Sequence, residues 1–561
     1  MKRAAVWFAT GLALAVCLGG AYAAYLLAGY SWDQVVEYRT PFGDYDRPWA
    51  AGQTPPGSPG SPGTPRAVLV IVDGLRLDVT DQMPGYQTLR QYGADMVAVT
   101  PQPSLSYPTW TTILSGATPD VSGVTTNWFE GPVPVETLID TALMSGLTVA
   151  VSAPDDFAGL YGAARAQAAY LRPWSEEYMS ATYVDQAIAF ARTGEPALLV
   201  VHLPDVDEVG HTYGGSSEEY TAMAQRIDGE VMRLVQALQD DRTLFVITAD
   251  HGHLDQGGHG GWEGVVTRVP ALFIGQATML ERAPISQTDI APTVAAFLGM
   301  PVPAHAEGRI REDILLSEVD GGLEHAQAFA TGYLAALERP TDAVQSASTV
   351  GQVDVILAEA RTEQLDADRA SRLPLALALG AAAIVALAAI LAFSWRAGVA
   401  ALAGVSVYYL VYNGLYFIVH GYRWSLSAFN TETYVEQFFY TRMGEAALAG
   451  LVAVLAAAIV YPFLRQHPKG SREAGFLGGW LALGPATILA IMATLALQVA
   501  WFLWAWGAEV VWRLPDLRWG FKYDLDLTQM TAVGAVALLA PVVTYLVGRY
   551  HPRIRTQTAG E

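Results

Sequence analysis

The 561-residue chain has one cysteine, Cys17, which excludes an intrachain disulfide framework and any metal site built on several thiolates. Positive charge is scarce: 33 Lys and Arg stand against 54 Asp and Glu, a formal net charge of −21. Nucleic-acid partners need a basic face and are excluded as a class. Ionisable residues are also missing from the middle of the long apolar runs of the C-terminal third, which argues against a transporter or proton relay. What is abundant is apolar: 52% of residues are hydrophobic, so a membrane part is expected in a chain long enough for several domains.

The apolar runs set the organisation. Met1-Lys2-Arg3 leads into an apolar stretch from Ala4 to about Ala28, long enough to cross a bilayer. Residues 1–29 are therefore expected to be an uncleaved signal-anchor, with Ala21-Tyr22-Ala23 as the competing cleavage site. Residues 30–66 form a linker, and its Ala50–Arg66 part, rich in Pro, Gly and Ser, cannot bury enough apolar surface to fold. Residues 310–373 are acidic and helix-prone, a flank or stalk. Five further spans are expected near 374–394, 398–419, 445–464, 475–505 and 529–548, making 374–561 a transmembrane bundle. Arg396, the group Arg465, Lys469 and Arg472, and the group Arg549, Arg553 and Arg555 mark alternate loops, on the same side as Lys2 and Arg3. By the bias of basic residues this is a multi-pass protein of the cell membrane, with both termini cytoplasmic and the central domain outside the cytoplasm. The two opposite loops, 420–444 and 506–528, are rich in aromatics such as Trp424, Phe438 and Trp519, an interfacial belt facing membrane lipids.

Between 67 and 309 the pattern changes. Ala67–Val72, Leu147–Val151, Ala197–Val201, Leu244–Ile247 and Pro270–Ile274 are short apolar runs, separated by helical periodicity such as Met223, Ile227, Val231, Leu234 and Leu238. The alternation predicts an α/β fold, a mostly parallel sheet with helices on both faces and ligands at the strands' carboxyl ends. Residues Asp289–Phe297 are a short helix stopped by Gly299.

Metal-type residues follow the apolar runs in four places: Asp73 in Val-Asp-Gly, Asp207 and His211 at Asp-x-x-x-His spacing, Asp250-His251, and His259 in Gly-Gly-His-Gly-Gly. Three aspartates and three histidines make two three-ligand sets with positions left open, as in catalytic rather than structural metal sites. Asp and His together suit zinc, and manganese also occupies such sites. Asp205 competes with Asp207 but lacks its spacing to His211. His253 competes as a ligand, whereas His202 and His305 read as ordinary loop or edge residues. Ser106, in Ser-Tyr-Pro before a Thr-rich segment, is the nucleophile candidate at a helix start, with Ser104, Thr109 and Thr111 as competitors. Asn127 supplies an amide able to donate to a phosphoryl oxygen.

Asp73-Gly, Ser106-Tyr-Pro, Asp207-x-x-Gly-His211, Asp250-His251-Gly and Gly-His259-Gly together resemble the alkaline phosphatase superfamily, in its type I phosphodiesterase/nucleotide pyrophosphatase branch. The resemblance covers about residues 66–310, and Gln287–Thr293 followed by Gly299-Met-Pro resembles that branch's closing segment. It implies an alkaline-phosphatase-like sheet and two divalent ions, most readily Zn²⁺. Asp207, His211 and His259 would hold one; Asp73, Asp250 and His251 would hold the other, beside Ser106. It further implies a phosphoserine intermediate, with Asn127 on the phosphoryl group. The branch usually has threonine as nucleophile. The eight-residue step from His251 to His259 lacks the long insert of nucleotide-cleaving members, so a nucleotide substrate is not expected. That short step and Asp120–Trp128 are similar to the GPI ethanolamine phosphate transferases. Trp110 stands where sulfatases place an arginine, which argues against that class. The function expected is a membrane-anchored two-metal hydrolase of an extracytoplasmic phosphate ester. The alternative is a transferase that moves phosphoethanolamine, or a similar substituent, from a lipid donor to a glycan or lipid acceptor. The substrate is then a phosphate ester, lipid-linked in the second case; the sequence does not set the oligomeric state.

Overall fold

The computed structural model describes residues 3–40, 42, 65–174, 178–431, 435–464 and 473–550. The spacer at 50–64 lies outside them, as do Lys2, Arg465, Lys469, Arg472, Arg553 and Arg555, which entered the orientation argument.

The central domain is built on one eight-stranded sheet. Its strands are β1 (Arg66–Val72), β2 (Gly93–Val99), β3 (Val149–Pro154), β4 (Ala168–Arg172), β5 (Leu198–Leu203), β6 (Thr243–Thr248), β7 (Arg268–Gly275) and β8 (Pro284–Ser286), in the order β4-β3-β5-β1-β6-β7-β2-β8. β1, β3, β5 and β6 are buried at every position, the signature of strands covered on both faces. The β4-β3-β5-β1-β6 half is parallel throughout. β7 runs antiparallel to both β6 and β2, and the sheet as a whole is mostly parallel, as expected. An apolar run records burial on two faces, not direction.

The helices introduced next are numbered in chain order: α1 (Arg3–Val36), α2 (Ser106–Ser115), α3 (Leu138–Met144), α4 (Ser180–Gly194), α5 (Asp205–Tyr213), α6 (Glu218–Leu238) and α7 (Ile290–Phe297). α4 packs on β3, β5 and α6; α2, α3 and α7 pack on one another, with α3 also against β3. α2, the β1–α5 turn region and the residues after β6 meet at the carboxyl ends of β1, β5 and β6, and there the candidate ligands gather.

Beyond the sheet come α8 (Gly322–Ala336), α9 (Val350–Phe393), α10 (Trp395–Asn413), α11 (Val435–Leu464), α12 (Glu473–Ala505), α13 (Leu517–Val536) and α14 (Ala540–Tyr550). Five helices among the described residues are long and apolar enough to cross a membrane, six if α13 and α14 count as one bent span. Three features differ from the sequence reading. α1 continues past residue 29 to Val36 and packs along α12 and α13, so it is a member of the bundle. α9 runs through residue 373 without a break, making flank and first span one element. The single span expected at 529–548 is instead two helices bent by 53°, and the first begins at Leu517, so Lys522, Asp524 and Asp526 fall inside a helix of the bundle.

Candidate active site

Asp73 closes β1, and Gly74 after it has φ +70°, with the Asp207 Cα only 2.8 Å from where a Cβ would stand. Only glycine lets β1 and α5 approach this closely. Asp207 and His211 lie one turn apart on α5, not at a strand end, so both face the same side of the helix. Asp205, on the same helix, accepts hydrogen bonds from Met179 and Ser180 N–H at 2.9 Å and is thereby committed to the start of α4. Asp250 and His251 follow β6, and His259 lies in the loop beyond.

The structure brings all six candidate ligands together around His251 and Asp207. His251 Nε2 is 3.3 Å from Asp250 Oδ2, 3.5 Å from Asp73 Oδ1 and 3.4 Å from Ser106 Oγ. Asp207 is 3.5 Å from His211 Nε2 and 3.7 Å from His259 Nε2, and those two nitrogens are 3.1 Å apart. Two ligand atoms each about 2.0–2.1 Å from a tetrahedral zinc stand about 3.3–3.4 Å apart; Asp73, Asp250 and His251 form such a close set, and the close sets around Asp207 are Asp207 with His211 and His253 and Asp207 with His251 and His259. Asp73 Oδ1 is buried with no hydrogen-bond donor, a costly state that a cation relieves. His259 Nδ1 donates to Ser104 O at 3.1 Å and His251 Nδ1 to Gly252 O at 3.2 Å, which leaves each Nε2 lone pair free for a metal. The donor set therefore fits divalent-metal binding.

Burial, and then the charges of Asp250 and Asp207, push the Asp73 carboxyl well above its usual range. Burial alone would also raise Asp207, but His211, His253 and His259 around it hold it well below. Burial holds His259 neutral.

Ser106 opens α2 and is buried, its Oγ facing His251. The competing hydroxyls are committed elsewhere: Ser104 to Gly261 O, Thr109 to Leu105 O, Thr111 to Tyr107 O. Asn127 is not part of the cluster; it is exposed, and its Oδ1 accepts the Tyr107 N–H at 3.0 Å, which fixes the amide beside the start of α2 and leaves Nδ2 to donate. Trp110 replaces the sulfatase arginine with a neutral indole N–H that donates to Asp250 Oδ2 at 2.8 Å. Gln287 donates to the Asp250 carbonyl at 2.9 Å, tying the closing segment to the site.

Two further histidines touch the cluster. His253 Nε2 donates to Asp207 Oδ1 at 2.7 Å, orienting that carboxylate, and Gly210 leaves room for its ring. His202, expected at a loop or edge, is buried in the central strand β5 with Nε2 3.0 Å from Asp73 Oδ2, and burial pushes it down to about 3. Position 202 ends an apolar run pointing at the same sheet edge as Asp73, which was the available signal.

The loop after His259 is clamped by the helical bundle. Glu263 accepts hydrogen bonds from Ser425 at 2.9 Å and Ser427 at 3.0 Å, Gly261 N–H donates to Ser427 at 3.0 Å, and Trp262 Nε1 donates to the Trp424 carbonyl at 2.8 Å. A Cβ at Gly261 would lie 1.7 Å from Ser425 Oγ, so glycine is required here. The 120–128 segment makes a second seam. Asp120 accepts from Leu514 N–H, Thr125 donates to Val35 O at 2.6 Å, and Trp128 packs on Trp32 with ring centroids 6.0 Å apart. Between the seams runs a cleft lined by Pro103, Leu105 and Thr126 on one side and Trp32, Phe502 and Phe521 on the other.

Residues 67–257 match the family model of type I phosphodiesterase / nucleotide pyrophosphatase. Among curated proteins, GPI ethanolamine phosphate transferase 1 of Mus musculus is 24% identical over 350 residues, covering 53% of this chain and 37% of that protein. GPI ethanolamine phosphate transferase 3, catalytic subunit, of Mus musculus is 24% identical over 315 residues, covering 50% and 29%. The chain thus spans about a third of the length of the curated relatives it matches. Among solved structures, murine ectonucleotide pyrophosphatase / phosphodiesterase 5 has a TM-score of 0.36 at 12% identity, covering 42% of this chain and 96% of that one. A wild-type alkaline phosphatase has a TM-score of 0.39 at 12% identity, covering 46% and 100%.

Proposed function

We propose that this chain is a multi-pass membrane enzyme that transfers a phospho-substituent, of the phosphoethanolamine kind, from a lipid donor to a glycan or lipid acceptor. In this reading the α/β domain lies outside the cytoplasm and the C-terminus inside. The reading that motif chemistry favoured on its own, a phosphate-ester hydrolase, becomes the second reading, supported by the family-model match at 67–257. The observation that carries the transferase reading is the cleft. Its walls come jointly from the residues flanking Ser106 and from helices long and apolar enough to lie in a bilayer, which suits a donor that never leaves the membrane. Resemblance to the GPI ethanolamine phosphate transferases supports the same choice.

In this reading Asp207, His211 and His259 would hold one divalent ion and Asp73, Asp250 and His251 the other, zinc before manganese. Such ions supply Lewis acidity to the phosphoryl group and favour the ionised serine. The chain's own residues do the rest. α2 holds Ser106 Oγ at the cluster and presents its N-terminus to phosphoryl oxygens, where the helix dipole favours negative charge. Ser106 Oγ bonds to phosphorus as the bond to the glycerol oxygen of the donor breaks, leaving a diacylglycerol and a phosphoserine diester. Asn127 Nδ2 donates to a phosphoryl oxygen. An acceptor hydroxyl then displaces Ser106 and regenerates it. With water as acceptor the same steps are hydrolysis.

The test is full-length protein in nanodiscs with a phospholipid carrying isotope-labelled ethanolamine. Label is expected on an acid-stable Ser106 adduct and then on an added glycan or lipid acceptor, and Ser106→Ala is expected to reduce both by about 10⁴-fold or more. Label released only as soluble phosphoethanolamine, whatever acceptor is added, would leave the hydrolase standing and overturn the transferase.

A further inference from the structure

We propose that Asp524 is the residue that recognises a primary amine on a phospholipid seated in this cleft; the proposal deepens the lipid-donor reading and rests on it. The cleft is mainly apolar, with Trp32, Phe429, Phe502 and Phe521 among its walls, and three charged residues also line it: Glu509, Arg513 and Asp524. Two of these are engaged. Glu509 accepts the Tyr30 hydroxyl at 2.9 Å, and the Arg513 guanidinium lies over the Trp506 and Trp512 rings at 4.8 and 5.5 Å.

Asp524 is different. Its Oδ1 is shut off from water and has no hydrogen-bond partner among the described residues. The nearby cation on its own helix is committed elsewhere: Lys522 donates to Asp526 and, at 2.8 Å, to Gln498. An acid inside a helix of the bundle with an unmet acceptor is costly unless a donor arrives, and such residues mark ligand sites. The donor that fits is a primary ammonium, which has three N–H groups. A quaternary ammonium has none, and an N-acylated amine has lost the charge. The apolar walls choose a lipid over a free amine. Leu105, next to Ser106, and Asp524 line the same cleft, so the proposed amine contact and the nucleophile's neighbour face one cavity.

The experiment uses full-length protein in nanodiscs that contain either phosphatidylethanolamine or the same lipid N-acetylated on the headgroup. Lipid retention by native mass spectrometry is one readout, and the ratio of phosphoserine formation from the two lipids is the other. The wild type is expected to favour the amine lipid by about tenfold to a hundredfold, the range of a hydrogen bond to a charged group. Asp524→Asn is expected to bring both ratios near one, and Asp524→Glu to restore part of the preference. A preference that survives in Asp524→Asn, or none in the wild type, overturns the proposal. Retention is read without turnover, so a protein that retains the amine lipid through Asp524 but transfers nothing would sink the transferase reading alone.

Discussion

Two buried polar clusters, one at the sheet edge and one in the helical bundle, use similar residue types to opposite ends. In the bundle, Lys522 pairs with Asp526, Gln529 donates weakly to Asp526 at 3.5 Å, and Tyr408 donates to Gln529 at 2.9 Å. One cation meets one anion and amides fill the gaps, so the cluster is neutral by itself. At the sheet edge three carboxylates face five imidazoles; Arg76, beside them in sequence, is spent on Asp78 and Asp255, each at 2.6 Å. Two divalent ions against three carboxylates and an ionised serine would bring that cluster to neutrality. A cluster that closes on itself holds helices together; one left open by charge is built for something to enter.

The comparison can be broken at its strongest point first. Asp250→Asn is expected to lower bound metal from two ions per chain and to reduce turnover of an aryl phosphodiester by about 10⁴-fold, the scale lost when one member of a catalytic unit goes. Elemental analysis beside the rate checks it, and full metal content with full activity would remove Asp250 from the ligand set. Next in size, Lys522→Met is expected to destabilise the protein in detergent by about 3–5 kcal/mol by stranding Asp526. The double change Lys522→Met with Asp526→Leu should recover most of that, because no charge is left unpaired. Equal losses in the single and double variants, followed by chemical denaturation, would mean that the bundle cluster is not self-contained. The smallest effect is expected at His253, which hydrogen-bonds Asp207 and stands close enough to Asp207 and His211 to compete as a third donor: as a residue that only orients Asp207, His253→Ala should weaken metal binding about 10–100-fold while leaving the two-ion stoichiometry at saturation. A lost ion at saturation would make His253 a ligand in its own right.

Much of the site could be read before the fold because its chemistry sits at the ends of apolar runs. Val72-Asp73 and Thr248-Ala-Asp250 announce a strand and its carboxyl edge, and Asp207 to His211 is one helical turn. His253 and His202 were harder. A loop residue two positions from a ligand has no periodicity to fix its direction, and His202 lies within an apolar strand where the sequence pattern reports burial but not neighbours. β4 and β8 have no long apolar run to announce them: they are the two edge strands, and β4 is only partly buried. The bend between α13 and α14 and the seams at Glu263 and Asp120 depend on contacts across hundreds of residues, about which local pattern is silent. The direction of β7 belongs with these, since two-sided burial looks the same in either sense.

The clamp on the loop after His259 bears on how such a protein can change over generations. Glu263 has its partners on Ser425 and Ser427, some 160 positions away, and Gly261 admits no side chain because of them. An α/β domain passed on without the bundle would lose these partners, and the loop after His259 would lose its clamp. A change at Gly261, Ser425 or Ser427 is therefore felt on both sides of the seam, which couples the two architectures in inheritance as well as in structure.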